Sequence, residues 1–254
     1  FVRKGRGMAL TELGRRIAPQ VIDAFSTLNR AFAVARSEND AVLSITAPQT
    51  FATNWLAGKL GTFQIDHPDV AVRLNVDDAT VDLPVSEFDV GIRGMRTADP
   101  SLICHFLMRM PVSPMASPAF LERHPLQKPA DLANVARLSP QEEWWELWLD
   151  AATAGEARIS SSSGLRFESQ VLDGNAAMAG HGVAILNVMM FQAQIEAGLL
   201  VRPFDHVAYH GSGFWLVYPE HKRNLAKVRA FRDWLLEAVK QTAGDDPFGV
   251  LEPL

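Results

Sequence analysis

Cysteine is almost missing from these 254 residues: Cys104 stands alone, which excludes an intramolecular disulfide framework and any paired-cysteine zinc or redox site. No apolar run approaches the roughly 20 residues that a membrane-spanning helix needs, and the opening FVRKGRG has no apolar leader core. Both absences point to a cytoplasmic protein without membrane contacts. Catalytic signatures are missing too, with no GxSxG, P-loop or HExxH. The seven histidines are scattered. Only His206 and His210 have metal-like spacing, with Asp205 beside them, and a metal needs three or four converging ligands. Gly180-His181-Gly182 lacks dinucleotide-fingerprint spacing and reads as a helix stop. The expectation is a protein that is not an enzyme and carries neither metal nor cofactor.

What is present describes an ordinary folded chain, 48% hydrophobic and 21% charged, long enough for one or two domains. Its charge is uneven. Residues 1–36 hold seven basic and two acidic side chains, net +5, which leaves −10 on the rest. Such asymmetry suits an arm facing a polyanion; a solvated basic helix end is the alternative. Phe1 to Leu10 reads as a β-ribbon whose tip carries Arg3, Lys4 and Arg6 between glycines, where cations can reach phosphates without reading bases. Thr11 then offers a helix cap, with Glu12 favoured by the helix dipole. Leu13, Ile17, Val21, Phe25, Leu28, Phe32 and Ala35 follow at gaps of three or four, one apolar stripe along a long helix. A narrow seam of that kind finds a partner helix, most simply another copy. Pro19 is expected to bend it, and residues 37–40 form a polar break.

From Ala41 onward strands alternate with helices: Val42–Ala47, a helix from about Thr50 to Phe63, Val70–Val76, Phe88–Arg93, the neighbourhood of Leu138, Ala157–Ser160 and Gly182–Leu186. This alternation predicts α/β architecture with parallel sheets covered by helices and ligands bound beyond the strands' carboxyl ends. Two loops at helix starts stand out. Gln49 and Thr50 follow the first strand where free N–H groups could seat an anion, with Thr50 as a simple N-cap the alternative. Phe167, Ser169 and Gln170 precede a helix over 171–179, with Ser169 also readable as a cap. Arg93 could grip a carboxylate or pair with Asp77, Asp78 or Asp89. Trp215 and Phe214 could wall a cleft, while Trp145 or Trp148 reads as packing.

The run F-V-R-K-G-R-G-M-A-L-T-E-L-G-R-R resembles the wing and dimer-forming linker helix of LysR-type transcriptional regulators. The resemblance extends through the remaining chain. W-W-E-L-W-L at 144–149, F-E-S-Q-V-L-D-G-N-A-A-M-A-G-H-G-V-A-I-L-N at 167–187 and Q-I-E-A-G-L-L-V-R-P-F at 194–204 are most similar to the glycine-cleavage and β-lactamase regulator branch. The resemblance implies a periplasmic-binding-protein-like (type 2) effector domain of two lobes, sensing a small, perhaps anionic, metabolite in the cleft between them. It implies a wing remnant at 1–10, a linker helix at 11–36, lobe one at 41–111 plus 215–241, lobe two at 112–214 and a flexible tail at 242–254. The strands crossing between lobes map onto Met110–Pro114 and Phe214–Tyr218. Effector contacts are expected from Gln49, Thr50, Arg93, Phe167, Ser169, Gln170 and Trp215, and DNA contacts from Arg3, Lys4, Arg6 and Thr11. Dimerisation falls to Leu13, Ile17, Val21, Phe25, Leu28 and Phe32. DNA is met through the full-length N-terminal domain, since the recognition helices that precede the wing in this family are not in this sequence; a dimer or tetramer and RNA polymerase complete the implied partners. Two rivals share the fold, a solute-binding protein with no DNA role and a two-lobed transferase, which would need a reactive pair in the cleft.

Overall fold

Backbone pairing begins at the second residue. The computed structural model describes residues 2–4, 7–37, 42–156, 159 and 164–252, leaving the side chains of Lys4 and of residues 29–37 undescribed. Strands β1 (Val2–Lys4) and β2 (Gly7–Ala9) pair antiparallel, with Val2 opposite Ala9, and form the expected ribbon. Arg6, at its tip, lies outside the described residues. Helix α1 (Glu12–Ser37) follows, capped as the sequence predicts: Thr11 Oγ1 accepts the Gly14 N–H at 3.0 Å. It continues helical through Pro19 rather than breaking there. Leu13, Ile17, Val21, Phe25 and Leu28 stay 46–64% exposed, so the stripe finds no cover in its own subunit. What α1 does touch is the 3-10 turn Leu83–Val85. The side chain of Phe32 and residues 38–41 lie outside the described residues.

Strand β3 (Val42–Ala47) is buried along most of its length. It leads through Pro48 into α2 (Gln49–Phe51), a π-helical turn at Ala52–Leu56 and α3 (Ala57–Asp66), a longer and less regular helical unit than the apolar spacing suggests. Phe51, Trp55, Leu56 and Phe63 fasten it to the sheet. Then come β4 (Ala71–Val76), β5 (Val90–Met95), β6 (Ile103–Met115), α4 (Pro118–Arg123), α5 (Glu143–Thr153), α6 (Gln170–Met178), β7 (Ala184–Asn187), α7 (Gln192–Glu196), β8 (Ala208–Tyr218) and α8 (Ala226–Ala243). The strands form one six-stranded sheet in the order β4-β3-β5-β8-β6-β7. Only β3 with β4 and β5 is parallel; β8 runs antiparallel to both β5 and β6, and β6 to β7. The sheet is therefore mixed where all-parallel sheets were expected, because two long strands return through it instead of crossing back over a helix. Leu138 lies beside a single bridge between Arg137 and Val183, not in a strand. Of the expected strand at 157–160 only Ile159 is described, and it is not in a strand.

Strands β6 and β8 carry the chain between two cores. One core holds β3, β5, α3 and α8; the other gathers Val112, Phe120, Trp145, Trp148, Leu149 and Ile185. The β6–β8 register slips between Phe106 and Met108 and again between Arg109 and Pro111, where proline has no N–H to give. Opposite the slip, Gly211 has φ +81°, and a Cβ on Gly213 would lie 2.4 Å from the Phe106 ring. The second crossing thus falls at Tyr209–Gly213, ahead of the expected Phe214–Tyr218, which from Phe214 to Val217 form regular strand paired to β5.

The end of the chain corrects another expectation. Instead of fraying, Val250 is buried, its carbonyl accepting the Arg109 N–H at 2.8 Å, and Arg109 Nε donates to the Glu252 carbonyl. Asp246 accepts N–H groups from Val250 and Leu251, and Tyr209 Oη donates to the Phe248 carbonyl. The final segment is a strap across both long strands.

Candidate functional site

Between the two cores opens a cleft of about 610 Å³, within the usual range for small-ligand sites. One wall comes from Pro48 and Thr50 at the end of β3, Asp78 after β4, and Gly94 on β5; Met110 and Phe214 contribute from the long strands. The other wall is Ser139, Gln141, Glu142 and Trp144 ahead of and within α5, Arg166 to Gln170 leading into α6, Asp173 on α6, and Ile185. The starts of α2 and α6 meet across it.

Of the residues singled out from sequence, Thr50, Phe167, Ser169 and Gln170 line the cleft. Thr50 is not the cap of α2: that position is Pro48, and the Thr50 hydroxyl has no hydrogen-bond partner among the described residues. Ser169 does cap α6, its Oγ accepting the Val171 N–H at 3.2 Å, while it also faces the cleft. The Gln170 side chain ties α6 to β7, its Oε1 accepting the Asn187 N–H at 2.9 Å. Gln49 lies next to the wall, and its N–H is given to Asp78 Oδ1 at 3.0 Å. The seat expected to hold an anion there is already occupied by the chain's own carboxylate.

Arg93 and Trp215 are elsewhere. Arg93 pairs with Trp215 across β5 and β8, and Gly94 with Phe214. Side chains alternate faces along a strand, so Gly94 and Phe214 face the cleft while Arg93 and Trp215 face the far side. Trp215 Nε1 donates to the Met95 carbonyl, and its ring meets Phe106 edge-on. Arg93 lines a separate cavity of about 350 Å³ with Asp82, Leu83, Asp99 and Ser101. Nη1 donates to the Ile92 carbonyl, and burial lowers its pKa, partly countered by Asp77. Among the described residues it forms no ion pair with Asp77, Asp78 or Asp89.

The stretch 139–144 and Asp173 were not singled out in advance, and they supply the site's least ordinary chemistry. Ser139 sits at φ +44°. From there its hydroxyl donates to Asp173 Oδ1 at 2.7 Å and accepts the Phe167 N–H at 3.0 Å, joining three segments of the wall. Asp173 is only 7% exposed, and burial pushes its carboxyl up to about 6, with the Ser139 hydrogen bond opposing and Glu142 adding to the rise. One signal for it was present in the sequence: a carboxylate at the fourth position of a helix otherwise built of Val, Leu, Gly and Ala. Trp144 borders the cleft, its ring 5.8 Å from His210, whose Nε2 is 2.7 Å from Glu143. Trp145 and Trp148 are fully buried, donating to the carbonyls of Leu138 and His206.

Similarity to known proteins extends over most of the chain. The LysR substrate binding domain family matches residues 36–240. The glycine cleavage system transcriptional activator of Escherichia coli (strain K12) is 32% identical over 93% of this chain and 78% of its own length. The HTH-type transcriptional activator AmpR of Citrobacter koseri is 30% identical over 93% of this chain and 81% of its own. The solved effector domain of AmpR from Pseudomonas aeruginosa superposes with TM-score 0.70 at 28% identity, covering 81% of this chain and 99% of that one.

Proposed function

Starting from the premise that the chain belongs to the LysR family of transcriptional regulators, we propose that its effector binds between the starts of α2 and α6, on Thr50, Phe167, Ser169 and Gln170. The chain is a ligand-responsive regulator of two-lobed, periplasmic-binding-protein-like fold, close to glycine cleavage activators and AmpR. A solute-binding protein is the less favoured reading, since the relatives are named as regulators. The observation that carries the effector site is the pairing of Thr50, a hydroxyl with no partner of its own among the described residues, with Ser169 across one cleft. A small molecule bridging both walls binds the closed arrangement better and shifts the population toward it.

In the same reading Leu13, Ile17, Val21, Phe25, Leu28 and Phe32 pair α1 with a second copy, lobes at 41–111 plus 215–241 and at 112–214 move against each other, and the protein works in the cytoplasm without catalysis. DNA is held through the whole N-terminal domain, with Arg3, Lys4, Arg6 and Thr11 at the phosphates, and RNA polymerase is the downstream partner. The exposed stripe on α1 supports this pairing, which has its own check. Phe25→Asp with Leu28→Asp puts charge into the seam and yields monomers in sedimentation; a dimer unchanged by both substitutions contradicts it. For the cleft, Thr50→Val with Ser169→Ala abolishes the rise in Tm produced by an effector in wild type, and an undiminished rise places the site elsewhere.

A further inference from the structure

The cleft's charge is opposite to what its helix starts suggest. Four carboxylates, Asp78, Glu142, Glu168 and Asp173, line it against one guanidinium, Arg166. Both backbone seats that would welcome an anion are spent. Asp78 takes the Gln49 N–H at the start of α2, and Ser169 Oγ takes the Val171 N–H at the start of α6. Asp173 is more than nine-tenths buried in the wall. Its Oδ1 accepts from Ser139, while Oδ2 has no donor, and neither oxygen an ion-pair partner, among the described residues. Burying a carboxylate without a cation is costly, and here the missing partner would have to arrive through the cleft. The rings of Trp144 and Phe214 border the same space, and aromatic faces attract cations.

Resting on the effector-cleft reading above, we propose that the ligand enters with a cationic group, an ammonium or guanidinium, that pairs with Asp173 and is flanked by Glu142 and Glu168. The ligand class is therefore amine-bearing, and an anion without such a group is excluded by the four carboxylates. Thr50 and Ser169 hold its neutral hydrogen-bonding part.

The test uses the purified chain, thermal shift and calorimetry. The probes are 1,4-diaminobutane, lysine amide and arginine amide, the N-acetylated forms of the first two, and succinate and glutarate as anions. At least one cationic probe raises Tm, its acetylated counterpart does not, and the dicarboxylates do not. Asp173→Asn weakens that probe roughly tenfold or more, the loss of one charge-assisted hydrogen bond, while the ligand-free variant stays as stable as wild type or more so. A shift with dicarboxylates alone, an amine shift that survives Asp173→Asn unchanged, or no response to any cationic probe each overturns the proposal. A dicarboxylate shift that Thr50→Val with Ser169→Ala removes keeps the effector cleft and sinks only its charge preference.

Discussion

Two buried aspartates in this molecule meet burial in opposite ways. Asp89, 2% exposed at the start of β5, lies 2.9 Å from Lys227 and 3.6 Å from Lys222, and accepts the Ser44 N–H. Both lysines are themselves buried and bond the carbonyls of Val42 and Phe88, so β3, β5 and α8 are drawn together around a satisfied charge. Asp173, in the cleft, has a serine hydroxyl and no cation among the described residues. Where the fold alone needed a carboxylate it supplied the counter-ions. Where it supplied none, the residue sits in the wall of the one cleft between the two cores, and its carboxyl keeps its proton up to about pH 6. A buried charge with complete partners reads as architecture, and one left short reads as a place for something else.

Removing the charge from each aspartate separates the two roles. Asp89→Asn leaves two ammonium groups, 6% and 4% exposed, without a carboxylate. Urea unfolding should show a loss of about 3–5 kcal/mol, the usual cost of breaking one side of a buried pair; a loss near zero would mean that the two lysines are held by carbonyls alone. Asp173→Asn acts the other way and more weakly. In wild type the native carboxyl binds its proton near pH 6, against about 4 in an unfolded chain. Between these values the folded state therefore holds more protons, and stability falls as pH rises through that window. Asp173→Asn removes the penalty, so its ligand-free Tm exceeds that of wild type at pH 7.5 and the advantage fades by pH 4.5. A variant less stable than wild type at pH 7.5 would place Asp173 with Asp89, as architecture.

How far the sequence reveals all this depends on the range over which each feature is decided. The ribbon, the Thr11 cap, the stripe on α1, β3 and the start of α6 are set by neighbours a few residues apart, and each is found close to where spacing puts it. The placements of Arg93 and Trp215 went astray by a single step of strand parity, since which face of β5 looks into the cleft depends on how β8 pairs with it. Trp145 and Trp148 were legible as packing, but Trp144, the neighbour that reaches the cleft, was not. The docked final segment was hidden for a similar reason: Gly244-Asp245-Asp246-Pro247 has the composition of a loose end, and only Asp246 turning back on Val250 and Leu251 shows otherwise.

The amino-acid order by itself determined the family, the long amphipathic helix with its cationic ribbon, and the two helix starts, because periodicity, capping and local motifs are short-range properties of the chain. The tertiary structure alone decided that Asp78 fills one anion seat, that Ser139 and Asp173 meet across 34 positions, and that the cleft is acidic. Those depend on which distant segments share a cavity, and there the field at a group is set by everything packed around it.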